Sequence, residues 1–254
     1  MTQYFDTHAH YDSGKFNADR DEVLRAVHDS GVALVVDPGD SGVTSERAVA
    51  LAQAHDFVYA AVGWHPEEAD SWTDSSLAHI RALAAQPKVC AIGEIGLDYY
   101  WDASTKAKQE RMFRAQLELA LELDLPVIVH DREAHGDSLR IVCDYPQLRG
   151  VFHCYSGSVE MARELLRRGW YLGFDGPITY KNAAKAPEVI AACPVERILL
   201  ETDSPYLAPV PNRGKRNDSR NLLFIAARVA EIKGMTIDQV AEVTLQNGKK
   251  LFGL

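Results

Sequence analysis

The sequence lacks any apolar run that approaches the roughly 18–20 residues needed for a membrane-spanning helix. It also lacks a charged N-terminal segment followed by an apolar one, so no secretory signal peptide is predicted. Its four cysteines are far apart and form no CxxC pair. This pattern predicts free thiols in a reducing compartment, and therefore a cytoplasmic protein that makes no use of a membrane.

A surplus of positive charge is missing as well. The formal net charge is −9 and the sequence pI is about 5.5. These values argue against a protein that grips long nucleic acid through a broad basic surface. A phosphate-bearing substrate is still compatible with them, because bound cations and a local basic cluster can reverse the charge at a site. Hydrophobic residues at 46% supply a core of ordinary size.

Short apolar runs alternate with amphipathic helical patterns along the whole chain. Runs such as Val127–Val129 are almost continuously apolar, which is typical of parallel strands buried on both faces. The predicted strands begin near Gln3, Val32, Phe57, Val89, Pro126, Gly150, Trp170 and Arg197. Helical patterns cover Asp21–Ser30, Ser45–His55, Lys106–Leu123 and Val159–Arg168, and the last ~35 residues predict two more helices.

Eight βα units in about 250 residues predict a (β/α)8 TIM barrel, an α/β fold. We expect one hydrolase domain over residues 1–254, because no linker, repeat or low-complexity tract interrupts the pattern. A doubly wound open sheet would also alternate strands and helices. The first βα turn, however, carries histidines where a dinucleotide-binding sheet would carry GxGxxG.

The first predicted strand ends in Phe5-Asp6-Thr7-His8-Ala9-His10. Residues i and i+2 of an extended chain point to the same side, so His8 and His10 are expected to project together. Two imidazoles at a strand end suit Zn²⁺, Mn²⁺ or a similar cation. An HxH pair alone is equally compatible with polar residues that merely end a strand.

Further candidate ligands follow the other predicted strands, where barrel active sites collect. They are Glu94 in GEIGLD, His130 in VHDR, His153 in FHCYSG and Asp203 in ETDSP. One more histidine, His65 in GWHP, also follows a predicted strand. Taken singly, a histidine there is more often hydrogen-bonded, and either carboxylate can cap the next helix. Four histidines and two carboxylates at one barrel mouth predict a metal site, because clustered unpaired carboxylates would be costly.

The motifs FDTHAH, GWHP, GEIGLDYY, VHDR, FHCYSG, ETDSPYLAP and PNRGKRN run in order from residue 5 to residue 217. This series resembles that of the TatD family of metal-dependent hydrolases, amidohydrolase-like TIM barrels described as deoxyribonucleases. The resemblance implies two divalent cations, with Zn²⁺, Mg²⁺ and Mn²⁺ all open. It implies that His8, His10, Glu94 and Asp203 hold one cation, that Glu94, His130 and His153 hold the other, and that His65 lies near both.

The implied reaction is hydrolysis of DNA, or of another phosphodiester, by a water that the dinuclear centre activates. Asp203 is then placed to accept the proton of that water, and Glu94 bridges the cations. His65 is expected to hydrogen-bond a phosphate oxygen or the leaving group. No membrane and no obligate protein partner is expected.

The loop after the eighth strand carries Arg213, Lys215 and Arg216. Such charge is usually a solvated surface, but loops after late barrel strands often bind phosphate, and Arg forks match phosphate oxygens. We therefore predict that these residues bind substrate. The loop continues into Asp218-Ser219, where the family often has Glu-Pro. This departure weakens the transfer of substrate-binding roles to the loop.

Two alternatives belong to other functional classes. The first is a metal-dependent ester or amide hydrolase acting on a small molecule or an aminoacyl-tRNA. Dihydroorotase-like and phosphotriesterase-like members would carry a bridging carbamylated lysine where this chain has Glu94, which disfavours the amide-hydrolase prediction without excluding esters. The second is a non-catalytic binding protein on a degraded barrel, and the presence of all six ligand candidates gives it no support.

Overall fold

The computed structural model describes residues 2–101 and 103–254, and its eight strands form one sheet in the order β1 to β8. Neighbouring strands with an assigned register run parallel. The strands are β1 (Tyr4–Asp6), β2 (Val32–Pro38), β3 (Val58–Val62), β4 (Val89–Asp98), β5 (Val127–Arg132), β6 (Gly150–Phe152), β7 (Tyr171–Phe174) and β8 (Ile198–Leu200). Each begins within one residue of its predicted start.

Helices alternate with the strands, and two helices follow the last strand, as the sequence pattern predicts. Capping boxes at Ser41–Thr44 and Thr236–Gln239 begin the second and last of them. The helices are α1 (Arg20–Asp29), α2 (Gly42–Ala54), α3 (Ser76–Ala84), α4 (Lys106–Leu123), α5 (His135–Cys143), α6 (Val159–Arg167), α7 (Lys185–Ala192), α8 (Leu222–Lys233) and α9 (Ile237–Phe252).

The chain divides into two compact units, and the first consists of the residues up to Asp37 together with Cys154–Leu254. Within it, β1 continues alongside β8, because the Thr7 N–H donates to the Leu200 carbonyl at 3.1 Å. Helix α9 covers β1, and the Phe5 and Phe252 rings lie 5.9 Å apart. This packing fixes the segment that leads into His8.

The second unit is Pro38–His153 and contains β3 to β6. Two buried glutamines of α4 attach this helix to strand ends that carry the candidate site. The Gln109 amide accepts from the Asp98 N–H and donates to the Asp98 carbonyl, both at 2.9 Å. The Gln116 amide makes the same pair of bonds to the Trp64 backbone, at 2.7 and 3.0 Å. Helix α4 therefore fixes the ends of β3 and β4.

No helix in residues 2–101 and 103–254 is long and apolar enough to cross a membrane. All four cysteines are free, with Cys90 and Cys193 buried and Cys143 and Cys154 half-buried. The free thiols agree with the sequence pattern. The single domain over residues 1–254 and the cytoplasmic location stay predictions.

Candidate metal centre

His8, His10 and Asp203 form one cluster at the ends of β1 and β8, hereafter the His8 cluster. The two histidine Nε2 atoms lie 3.1 Å apart, and both face Asp203 Oδ1, at 3.8 Å from His8 and 3.5 Å from His10. Backbone pairing produces this approach, because the Asp203 N–H donates to the His8 carbonyl at 2.9 Å. Histidines two residues apart on an extended chain thus share one side, as predicted.

A buried carboxylate, Asp6, holds the base of the His8 cluster. Its Oδ2 accepts from the Thr202 hydroxyl at 2.6 Å, and its Oδ1 accepts from the Thr202 N–H at 3.0 Å. Complete burial raises the pKa of Asp6 to about 7, and these hydrogen bonds only partly oppose the rise. Asp6 therefore ties β1 to the segment that leads into Asp203.

Glu94, His130 and His153 form a second cluster in the other unit, hereafter the Glu94 cluster. Glu94 Oε1 lies 2.8 Å from His130 Nδ1 and 2.8 Å from His153 Nε2. The two histidine nitrogens are 3.4 Å apart. One carboxylate oxygen thus meets two imidazoles in a nearly buried setting, since the Glu94 residue is only 3% exposed.

His65 lies against the Glu94 cluster. Its Nδ1 accepts the Glu67 N–H at 3.2 Å, and its Nε2 is 3.6 Å from Glu94 Oε1. Burial, reinforced by the charge of His130, lowers the pKa of His65 to about 3. The neutral ring therefore carries its hydrogen on Nε2, which points toward the cluster as a donor.

Asp98 supports His130 from the side opposite Glu94. Its Oδ2 lies 2.9 Å from His130 Nε2. Burial alone would lower the pKa of His130, but the hydrogen bonds with Asp98 and Glu94 outweigh it and raise that pKa to about 9. Gly96 makes the close strand approach possible, because its φ is 149° and a Cβ there would lie 2.0 Å from the His130 carbonyl oxygen.

The donor atoms of both clusters suit a divalent cation. Each cluster supplies imidazole nitrogens and a carboxylate oxygen, which is the mixture that Zn²⁺ and Mn²⁺ accept in hydrolases. Within each unit, three such atoms lie within 4.8 Å of one another, as in the His8 cluster and in the group of His65, Glu94 and His130. Asp98 behind His130 is the carboxylate that commonly orients a metal-binding histidine.

The three predicted substrate-binding residues differ in how far they are engaged. The Arg216 guanidinium makes a fork with Asp19, with distances of 2.9 and 2.6 Å. The Arg213 guanidinium stacks 4.3 Å over the Tyr180 ring, and Lys215 Nζ lies 3.4 Å from a side-chain oxygen of Asn212. Arg216 would have to exchange a carboxylate for a phosphate, whereas Arg213 and Lys215 would not.

Several supporting residues were not singled out from the sequence. Asp98 had a usable signal, because it stands four residues after Glu94 on one strand and so faces the same side. Glu201 is fully buried and accepts the Cys154 N–H. The Asn217 amide donates to the Thr202 and Tyr206 carbonyls at 2.8 Å each. No local sequence pattern predicts these two hydrogen bonds.

Comparisons with known proteins agree with this geometry. A sequence model described as TatD related DNase matches residues 5–253. The chain is 43% identical over 250 residues to the uncharacterized metal-dependent hydrolase YabD of Bacillus subtilis, covering 98% of both proteins. It is 38% identical over 256 residues to the 3'-5' ssDNA/RNA exonuclease TatD of Cronobacter sakazakii, covering 98% of this chain and 97% of that one.

A solved structure gives the same result for the fold. The crystal structure of YjjV, a TatD homologue from Escherichia coli K12, superposes with a TM-score of 0.93 at 32% sequence identity. The superposition covers 99% of this chain and 98% of that one. The predicted (β/α)8 barrel is thereby confirmed.

Proposed function

The chain belongs to the TatD family of metal-dependent hydrolases, and from that premise we propose that it hydrolyses phosphodiester bonds in single-stranded DNA. The observation that carries the proposal is the shared carboxylate oxygen of Glu94, within 2.8 Å of two histidine nitrogens. The 38% identical exonuclease supports the choice of single-stranded nucleic acid. The acidic net charge of −9 also disfavours a protein that embraces a long duplex.

We assign two divalent cations to the site. His8, His10, Asp203 and Glu94 would hold one, and Glu94, His130 and His153 would hold the other. The match to the TatD family over residues 5–253 supports this assignment. When bound, such cations lower the pKa of a coordinated water toward neutrality and offset the charge of the phosphate.

The protein side chains supply positioning and proton transfer. Asp203, with its φ of 54° and its oxygen beside two histidines, is placed to accept a proton from the attacking water. His65 donates from Nε2 to a phosphate oxygen or to the leaving oxygen, because its Nδ1 is already an acceptor. Arg213 and Lys215 bind phosphates further along the strand, and Arg216 joins them if it leaves Asp19.

The test uses metal-stripped protein reconstituted separately with Mg²⁺, Mn²⁺ and Zn²⁺. Single-stranded DNA, duplex DNA, RNA and a p-nitrophenyl carboxyl ester are compared as substrates, and release of mononucleotides distinguishes end-directed from internal cleavage. We expect metal-dependent cleavage of single-stranded DNA that Glu94→Gln and Asp203→Asn each reduce by about 10²- to 10⁴-fold.

Glu122→Gln is the matched control for these variants. Glu122 is an exposed carboxylate paired with Arg81 on the surface, so the same carboxylate-to-amide change there should leave turnover unaltered. Cleavage that survives Glu94→Gln in folded protein would refute the assigned centre. Turnover of the ester alone would replace the nuclease with the ester-hydrolase alternative.

A further inference from the structure

An exposed aromatic pair lies immediately after the strand that carries Glu94 and Asp98. Tyr100 is 55% exposed and Trp101 is 64% exposed, and their rings meet edge to face at 4.8 Å between centroids. It is unusual for two adjacent large aromatic side chains to be this exposed to solvent. Their position suggests that something else covers them during function.

The backbone of this pair is attached to the Glu94 cluster through Asp98. Asp98 Oδ1 accepts the Tyr100 N–H at 2.9 Å and the Trp101 N–H at 3.3 Å, while Oδ2 faces His130. One carboxylate group therefore connects the aromatic pair to a candidate metal ligand. The rings are anchored at the edge of the site and are not the tip of a free loop.

Arg132 adds a positive charge to the pair. Its guanidinium lies 3.9 Å from the Tyr100 ring centroid and 5.3 Å from that of Trp101. Asp98 and Arg132 are register partners of β4 and β5, which places this arginine two residues beyond His130. Among the residues that the structure describes, the Arg132 guanidinium has no ion pair or hydrogen bond. Its N–H groups thus remain available to a phosphate.

We propose that Tyr100, Trp101 and Arg132, hereafter the aromatic platform, form a subsite on which a nucleobase of the single-stranded substrate stacks while Arg132 binds a neighbouring phosphate. This inference rests on the proposed function and concerns a nucleobase and a neighbouring phosphate that the metal ligands do not reach. Exposed aromatic faces bind bases of any sequence, and a nearby arginine follows the backbone. Bases in a duplex are already stacked, so the platform selects single strands.

A partner protein is the other occupant to consider for exposed aromatics. The platform's link to His130 and the positive charge of Arg132 favour a ligand with alternating flat rings and phosphates, and a single strand has that composition. DNA and RNA share this chemistry, so both are used as probes in the test.

The decisive variant is Trp101→Ala, assayed on a ten-residue oligothymidylate, on its RNA counterpart and on methyl p-nitrophenyl phosphate, which carries no base. Loss of one base stack should raise KM for the oligonucleotides about 5- to 150-fold. Turnover of the small diester should not change. Trp101→Phe retains an aromatic face and should recover most of the oligonucleotide affinity, whereas Trp101→Leu should not.

Tyr145→Ala is the matched control, because Tyr145 is also stacked under an arginine, Arg114, at 6.0 Å. It lies between α5 and β6, on the side where strands begin, and should leave both activities unchanged. A second probe is an oligonucleotide with abasic sites near its cleaved end. Wild type should bind it more weakly than the normal strand, and Trp101→Ala should no longer distinguish the two.

The outcomes separate this inference from the proposed function. If wild type cleaves oligonucleotides and Trp101→Ala leaves KM unchanged, the platform is refuted and the nuclease stands. Equal losses on the oligonucleotide and the small diester would also refute it, because the residue would then only support the metal site. If wild type with metal cleaves no nucleic acid, the proposed function fails and the platform fails with it.

Discussion

Replacing Asp98 with asparagine should weaken metal binding by reversing one hydrogen bond. Two backbone N–H groups, from Tyr100 and Trp101, already point at Asp98 Oδ1. An asparagine here must keep its carbonyl oxygen on those donors, which turns its NH₂ group toward His130 Nε2. Gln109 clamps the backbone of residue 98, so the side chain has little freedom to escape this orientation.

The consequence follows from the two nitrogens of one imidazole. The Asp98 carboxylate can only accept, so His130 Nε2 keeps its hydrogen, and a cation beside Glu94 displaces the hydrogen of Nδ1 and binds that atom. Burial raises the pKa of Asp98, but its hydrogen bonds with His130 and the two backbone N–H groups outweigh this and keep it below its ordinary value. An NH₂ at the same place favours the tautomer with hydrogen on Nδ1, which blocks the ligand atom.

Asp98→Asn should lower the metal affinity about 10- to 100-fold, which is the usual effect of removing a hydrogen-bond partner of a metal ligand. This corresponds to about 1.4–2.7 kcal/mol of binding free energy. Isothermal titration of metal-stripped protein with Mn²⁺ or Zn²⁺ measures it without reference to any substrate. Asp98→Ala should lose affinity as well, with an added loss of stability from the two uncapped N–H groups.

Asp131→Asn is the matched control for this prediction. Asp131 also faces a histidine, His135, at 2.8 Å, but this pair lies on the other side of β5 from His130. The control should bind metal within about twofold of wild type. If Asp98→Asn binds metal equally well, the carboxylate does not set the tautomer of His130, and the reasoning is wrong.

Three further predictions concern stability. Saturating Mn²⁺ or Zn²⁺ at 100 times its Kd should stabilise wild type by about 2.7 kcal/mol, a rise of several degrees in Tm that Glu94→Gln abolishes. Gly248→Ala should lower Tm, because the new Cβ would lie 2.5 Å from the Phe5 ring. Such overpacking costs about 1–3 kcal/mol of folding free energy, which exceeds the ~1 kcal/mol by which alanine stabilises a helix relative to glycine. Gly136→Ala, with no atom within 4 Å of its Cβ, should leave Tm unchanged or raise it, and equal effects of the two changes would contradict the packing argument. A hydrogen bond with Lys106, and a smaller effect of one with Arg140, lower the pKa of Asp137 to about 2. The ionised Asp137 therefore stabilises the folded protein at pH values above its unfolded pKa near 4, and this stabilisation is lost as the pH falls toward 2. Urea unfolding should show Asp137→Asn less stable than wild type by ~0.5–1 kcal/mol at pH 7, a value discounted for solvent screening, and equally stable near pH 2; a difference that stays constant with pH would refute the assignment.

Local features of the sequence are sufficient to predict the strands and helices of this chain. Strand starts and the helix over Lys106–Leu123 follow from the sequence, because apolar periodicity and caps act over a few residues. The HxH pair is also local, since strand geometry alone places His8 beside His10. The candidate ligands at the other strand ends could be predicted for the same reason.

Contacts between distant residues were decided only by the tertiary structure. Arg216 and Asp19 are separated by 197 positions, so no pattern in the basic loop announced that its arginine is already paired. Asp98 meets His130 because β4 and β5 are in register, and that register depends on the whole sheet. The sequence by itself determined the fold class and the types of the candidate ligands. Only the folded chain determined which carboxylate orients which histidine, because that choice depends on side chains brought together by packing.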